Sequence, residues 1–442
     1  MREEIRKYAD EAFEIVTHAA DEIGPRLPGS DNERKFHEVM KDKMNGLGLK
    51  VKQEKFLVAP RASIGGIPYA GWVGIAGAIM LNFTQLYWLA AIMLTAMWVW
   101  LVCSVFLYKT WFDWCFHHEV SYNTYGELTP EDGEYDYTIM LSGHTDTSWN
   151  WKHSAIKSKL NPAFAFIKVG LGAVCVIVTT ALAWTLAISQ YVDYITWMFV
   201  AEAYPIVCPF LVAGSFLVTL WLDKNEKTAS PGAMDNATGI ALAYIVTKYF
   251  KENPDKMPKR CRIIDLNCGA EEAGLRGSIA FVRKHKGEDI LKNCYNLNLD
   301  SIADEDYFEV VRGDAWQGTK FDPELIKMFE ESMKEAGIEK PGNIVNPVGG
   351  CDSTPFHKAG VRTVTFAAQD PVMTNYYHTF YDTPDRFSVE TVGTGLDVIL
   401  RVIDKIAAVE DGKRTSLVPA EDTVETPAEV PAEAPAETPA EE

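Results

Sequence analysis

Residues 137–150 read YTIMLSGHTDTSWN. An apolar run rich in strand formers stops at a glycine, and a histidine follows at once. A strand built this way presents His144 at its carboxyl end, where functional groups gather in open α/β sheets. The pattern recurs downstream. RIIDLNCG, ending at Gly269, leads to Glu271 and Glu272, and YNLNLD closes on Asp300. Strands are expected near 50–57, 135–142, 261–268, 294–299 and 361–367. Helices are expected near 3–22, 31–47, 236–251, 275–286, 322–336 and 388–410, where apolar residues recur at three- and four-residue steps. The alternation predicts an α/β fold, a mixed β-sheet flanked by helices on both faces.

Two regions interrupt this pattern. From Ala62 to Tyr108 no side chain is charged, and from Val169 to Leu222 only Asp193 and Glu202 are. Runs this long exceed buried core helices and suit two crossings each, at ~20 residues per crossing. The first hairpin turns at Asn82–Gln85; the second is expected as helices near 169–189 and 200–222 joined by a loop. Trp88, Tyr108, Trp111, Tyr191, Tyr194 and Trp221 fall near the ends, as interfacial aromatics do. Ala70, Gly74 and Ala78 repeat at the four-residue step that lets helices approach closely in lipid. The chain therefore divides into a globular domain in three parts (1–61, 109–168 and 223–411), two transmembrane hairpins (62–108 and 169–222) and a Pro-Ala-Glu tail (412–442) expected to be disordered. About four transmembrane helices result, and the lipid bilayer is an expected partner.

Arg61, Lys109, Lys152, Lys157, Lys159, Lys168, Lys224 and Lys227 flank the hairpins on the globular side, and the tips carry no lysine or arginine. Positive residues stay inside. A multi-pass protein of the cell membrane with its globular domain in the cytoplasm is expected. The N-terminal MREEIRKYADEAFEIVTHAADEIG has no apolar run behind a basic start, so no secretory signal is read there. The net charge of −19, eight acidic residues of it after position 420, argues against nucleic acid as a partner. The eight cysteines form no CxxC pair and read as free thiols.

Five side chains are candidate metal ligands: His144, Asp235 in SPGAMDNATG, Glu272 in GAEEAGLRGS, Asp300, and His378 in YYHTFYDTPD. Two imidazoles and three carboxylates, one of them shared, suit two divalent cations. Asp146 is placed to orient the first imidazole. Glu271 and Glu272 are adjacent and point differently, so one can ligate while the other faces a substrate. Tyr377 is either a hydrogen-bond donor to a developing oxyanion or loop packing. No GxSxG or HExxH occurs.

GPRLPGS, GHTD, SPGAMDNATG, GAEEAGLRGS, NLD, GGCDSTPF and YYHTFYDTPD, in this order, resemble the M28 family of zinc aminopeptidases. The resemblance spans the chain except for the hairpins and the tail. It implies the zinc aminopeptidase-like phosphorylase/hydrolase fold and two Zn²⁺ bridged by Asp235, His144 and Asp300 holding one, Glu272 and His378 the other. It also implies Glu271 as general base, Asp146 as support for His144, and peptides as substrates. Met234 stands where the family often has Asp, and Asp352-Ser353 where it often has Asp-His. The expected activity is removal of N-terminal residues by a membrane-embedded exopeptidase. The alternatives are a catalytically silent receptor or scaffold and a glutaminyl-cyclase-like acyltransferase.

Overall fold

A computed structural model describes residues 2–155, 161–223, 225–372 and 374–417. Eight strands form one sheet: β1 (Lys50–Val58), β2 (Glu119–Leu128), β3 (Tyr137–His144), β4 (Cys261–Cys268), β5 (Cys294–Ile302), β6 (Phe308–Asp314), β7 (Gly342–Asn346) and β8 (Arg362–Ala368). Their order is β1-β2-β4-β3-β5-β8-β6-β7. The central four, β4, β3, β5 and β8, run parallel, and the outer strands mix both directions. The expected mixed α/β sheet is what forms.

Helices α1 (Arg6–Thr17) and α2 (Asp31–Gly46) precede the first hairpin. The hairpins supply α3 (Ile67–Phe83), α4 (Tyr87–Leu101), α5 (Asn161–Val192) and α6 (Tyr194–Thr219). Then follow α7 (Thr238–Glu252), α8 (Arg276–His285), α9 (Pro323–Glu335), α10 (Ser353–Lys358) and α11 (Val389–Leu417). Strand alternation sorts the core. Ile139 and Leu141 of β3 join Tyr295, Leu297 and Leu299 of β5 under α1, α7, α9 and α11. Met140 faces the other way, with Ile264, Leu266, Phe281 and Phe356 under α8 and α10. Each fully buried Ile, Leu or Phe contributes roughly 1.5–3 kcal/mol, so this two-sided burial fixes the strand register.

Four helices in the described residues are long and apolar enough to cross a membrane: Ile64–Phe83, Tyr87–Phe106, Ile167–Val192 and Tyr194–Thr219. They pack as a bundle whose outer faces are apolar and exposed (Ile92, Val174, Phe199, Phe210). Inside, the Trp98 indole donates to Thr180 Oγ1 and the Trp184 indole to Thr95 Oγ1, both at 3.0 Å. The second hairpin differs from expectation. No loop spans 190–199; α5 and α6 meet at Asp193 alone, whose carboxylate accepts from Thr196 N at 3.1 Å and so starts α6 by itself. The last helix also runs to Leu417, past the tail boundary expected at 412, because no proline interrupts it before Pro419. The rest of the tail, and Lys157, Lys159 and Lys224, lie outside the described residues.

The small-residue face of α3 sits directly on α6. A Cβ on Gly71 would meet Thr219 N at 2.7 Å and Ser215 O at 2.8 Å, both backbone atoms that cannot step aside. Gly71→Ala is therefore expected to lower stability by about 1–3 kcal/mol, as overpacking does. A thermal midpoint in detergent equal to the parent's would refute this packing.

Candidate metal centre

The carboxyl ends of the four parallel strands converge on one spot. His144 ends β3, level with Cys268 of β4. Glu271 and Glu272 lie in the turn after β4, Asp300 lies near the end of β5, and His378 lies in the loop after β8. Asp235 comes from the irregular segment before α7. The five expected ligands, spread over the sequence, are brought together.

Asp235 stands at the middle. Its Oδ1 lies 3.1 Å from His144 Nε2 and its Oδ2 lies 3.0 Å from His378 Nε2. His144 Nε2 is 3.9 Å from Asp300 Oδ1, and His378 Nε2 is 3.2 Å from Glu272 Oε1. Two triads result, His144–Asp235–Asp300 and Asp235–Glu272–His378, each with its ligand atoms within 4.8 Å of one another. Crowded acids raise one another's proton affinity. Burial first, and then Asp235, push Glu272 up to about 8 and Asp300 up to about 6, against the pull of the imidazoles. Asp235 goes the other way: hydrogen bonds from both histidines outweigh its burial and hold it below the usual carboxylate range. Glu272 Oε1 is buried with no hydrogen-bond partner among the described residues. A buried carboxylate oxygen facing two imidazoles and two more acids calls for cations, and the nitrogen and oxygen donors suit zinc.

Asp146 reaches two loops. Its carboxylate accepts from the backbone N–H groups of Glu271 and Glu272, each at 2.9 Å, which fixes the turn carrying both acids. His144 Nδ1 lies 3.1 Å from the Asp146 carbonyl and 3.5 Å from its carboxylate. The carbonyl is thus the nearer acceptor for the second ring nitrogen, where the sequence suggested the carboxylate. Glu272 is buried in its triad while Glu271 is partly exposed beside it. Although Glu271 keeps some exposure, desolvation of its carboxyl among the crowded acids, and the adjacent Glu272, raise that carboxyl well above its ordinary range. The Tyr377 ring stacks on His378, centroids 3.8 Å apart, and so packs against a candidate ligand.

Three supports were not read as such in the sequence. Asp382, buried in YDTPD, accepts from Met234 N at 2.8 Å and Asp235 N at 3.1 Å, holding the irregular turn from behind. The Trp151 backbone N–H donates to His378 O at 2.8 Å, and the Trp151 ring sits edge-on to the imidazole. Arg26, in GPRLPGS, is fully buried and donates to the carbonyls of Ala19, Thr145, Pro231 and Gly232. It thereby ties the loop after His144 to the turn before Asp235. Burial pulls its guanidinium down to about 10, against the charges of Asp382, Asp146 and Asp235. Arg26→Met should destabilise the protein by at least about 1–3 kcal/mol, the usual loss when a buried acceptor is left without its donor, and here four carbonyls lose one. A chemical-denaturation shift below about 1 kcal/mol, no more than an ordinary point mutation costs, would contradict that role.

The two departures from the family pattern turn inward. Met234 is fully buried. Ser353 is buried too, its hydroxyl 2.8 Å from Thr365 Oγ1 and accepting from Thr363 Oγ1 at 3.0 Å. Cys351 is buried with Asp314 and Thr365 as its partners, and burial raises its thiol well above the ordinary range.

Residues 217–403 match the family model described as Peptidase family M28. This stretch carries the likeness to that family. It begins at the end of α6 and carries four of the five candidate ligands; His144 lies ahead of it. Over 198 residues, 42% of the chain, the protein is 26% identical to aminopeptidase YwaD of Bacillus subtilis (strain 168), a match spanning 40% of that relative's length. Among solved structures, a zinc aminopeptidase of Bacillus subtilis aligns with TM-score 0.53 at 17% identity, covering 90% of this chain and 95% of that one. The aminopeptidase of Aneurinibacillus sp. strain AM-1 aligns with TM-score 0.54 at 13% identity, covering 91% and 95%. A glutaminyl cyclase of Bacteroides thetaiotaomicron aligns almost as well, with TM-score 0.52 at 16% identity over 89% and 97%. The chain therefore shares its fold with solved aminopeptidases and with a glutaminyl cyclase alike.

Proposed function

We propose that the chain is a membrane-embedded di-zinc aminopeptidase with its catalytic domain in the cytoplasm. The observation that carries this reading is the pair of buried triads sharing Asp235, with Glu271 partly exposed at their edge. His144 and Asp300 would hold one zinc, Glu272 and His378 the other, and Asp235 both. When bound, such a pair polarises the scissile carbonyl and lowers the pKa of water. Glu271 accepts a proton from the attacking water and returns it to the leaving nitrogen. The amide C–N bond breaks, hydroxyl ends on the acyl carbon and hydrogen on the amine. Asp146 keeps Glu271 and Glu272 in register through their backbone amides. A free α-amino group is favoured beside so many acids, which selects N-termini. Tyr377, whose ring stacks on His378, would donate its hydroxyl to the carbonyl oxygen.

The membrane placement is supported by four apolar helices whose ends meet the globular domain beside Arg61, Lys109, Lys152 and Lys227, while the tips at Thr84–Gln85 and Asp193 carry no cation. A silent scaffold would have no need to keep all five ligands. A glutaminyl cyclase needs one cation, and two triads suit two. The test is a screen of aminoacyl p-nitroanilides, with an N-terminal Gln peptide alongside, on detergent-solubilised protein. Anilide hydrolysis that stops with chelator and returns with zinc is expected. Cyclisation without hydrolysis would establish the acyltransferase, and inertness towards both would establish the scaffold.

A further inference from the structure

The stems of the two hairpins form part of the walls around the metal centre. On one side, Trp151 bridges to Leu222 in an antiparallel pair, closing the base of the second hairpin, and the same Trp151 holds His378. On the other, Tyr108 at the end of the first hairpin lies against the turn that carries Glu271 and Glu272. Its carbonyl accepts from Arg276 Nη1 at 3.0 Å, and its ring is so close that a Cβ on Gly274 would meet it at 3.0 Å. Ser63 Oγ donates to Ser104 O at 3.0 Å, tying the entry of that hairpin to its exit.

Where the first hairpin leaves the globular domain there is a cavity of about 670 Å³, walled in part by Leu27, Arg61, Tyr69, Phe116, Glu119 and Trp149. None of the five candidate ligands lines it, but two of its lining residues, Leu27 and Trp149, pack in one cluster with Trp151, which holds His378. Trp149 belongs to the loop running from His144 to Trp151, and Leu27 follows Arg26, which clamps that loop. Tyr69 belongs to the first transmembrane helix itself. Trp111 and Trp114, just past the hairpin, are exposed aromatics of the kind that settle at a membrane surface. The lining mixes cation, acid and aromatic groups, which suits an extended polar peptide better than a lipid tail.

We propose that the substrate is the free N-terminal segment of a membrane-bound polypeptide, which reaches the metal centre along the bilayer surface through this cavity. The inference rests on the exopeptidase reading above. A chain whose next segment lies in lipid must enter at the level of the hairpin stems, and the cavity opens there. Anchoring both partners in one bilayer also raises the effective concentration of the terminus.

The test uses the full protein in liposomes and three substrates. One is an aminoacyl p-nitroanilide. The second is a soluble peptide with a leucine N-terminus. The third is the same peptide continued through a polar linker into an apolar helix of ~20 residues. Cys115 lines the cavity and is the exposed one among the eight cysteines, so a bulky maleimide marks the entrance. The tethered peptide is expected to be cleaved at least about tenfold faster than the soluble one, within the range tethering gives. Labelling should cut the tethered rate several-fold and leave the anilide rate unchanged; in C115S the label should change neither. Equal rates for tethered and soluble peptide, or a preference that the label does not touch, would overturn the inference while leaving the exopeptidase intact. Absence of anilide hydrolysis by unlabelled enzyme would remove both.

Discussion

Glu271→Gln is expected to lower kcat by about 10²- to 10⁴-fold, the usual contribution of a positioned acid–base group, while bound zinc and KM stay near those of the parent. The reasoning is geometric. Glu272, not Glu271, lies with His378 and Asp235 in the triad, and Glu271 is the partly exposed member of the pair. Glutamine keeps the shape and cannot take a proton. The turn is held through the backbone N–H of residue 271, which the substitution leaves in place on Asp146. Single-turnover kinetics together with metal analysis reads both halves. Loss of half the zinc would make Glu271 a ligand, and undiminished turnover would remove it from the mechanism.

Asp235 and His378 stood out only within the quoted motifs, whereas the other three of the five candidate ligands were legible from a pattern visible locally: an apolar strand ending on His144, another leading to Glu271-Glu272, a third ending on Asp300. The parallel strands that carry them were legible for the same reason. What escaped was structure held by buried polar groups. Strand β2, EVSYNTYGEL, buries Ser121, Asn123 and Thr124, whose side chains pair with Glu33, the Gly277 carbonyl and His37. Nothing in its own residues shows that burial, since the partners lie far away in the chain. Strand β7 has only five residues and lies at the edge of the sheet, with β6 next to it. Arg26 and Asp382 stood inside motifs quoted for their resemblance, yet their work is done on backbone groups, which no side-chain pattern records. The loop expected between α5 and α6 failed for a simpler reason: one aspartate both ends one helix and caps the next.

Asp235→Ala should remove metal from both triads at once, because each imidazole faces a different oxygen of this one carboxylate. Bound zinc is expected to fall from two per chain to less than one, with activity at background. Glu272→Ala touches a single triad and should cost only one ion. The turn itself should survive in both variants. Asp382 holds it through the backbone N–H groups of Met234 and Asp235, and Asn236 fastens it to the Leu299 carbonyl at 2.8 Å. The difference should also appear in stability. A ligand at a hundredfold excess over its Kd stabilises the native state by about 2.7 kcal/mol. Chelator should therefore lower the thermal midpoint of the parent and leave that of Asp235→Ala unmoved. If Asp235→Ala still held two zinc ions per chain, the shared-carboxylate arrangement would be wrong, and the two triads would have to be independent sites.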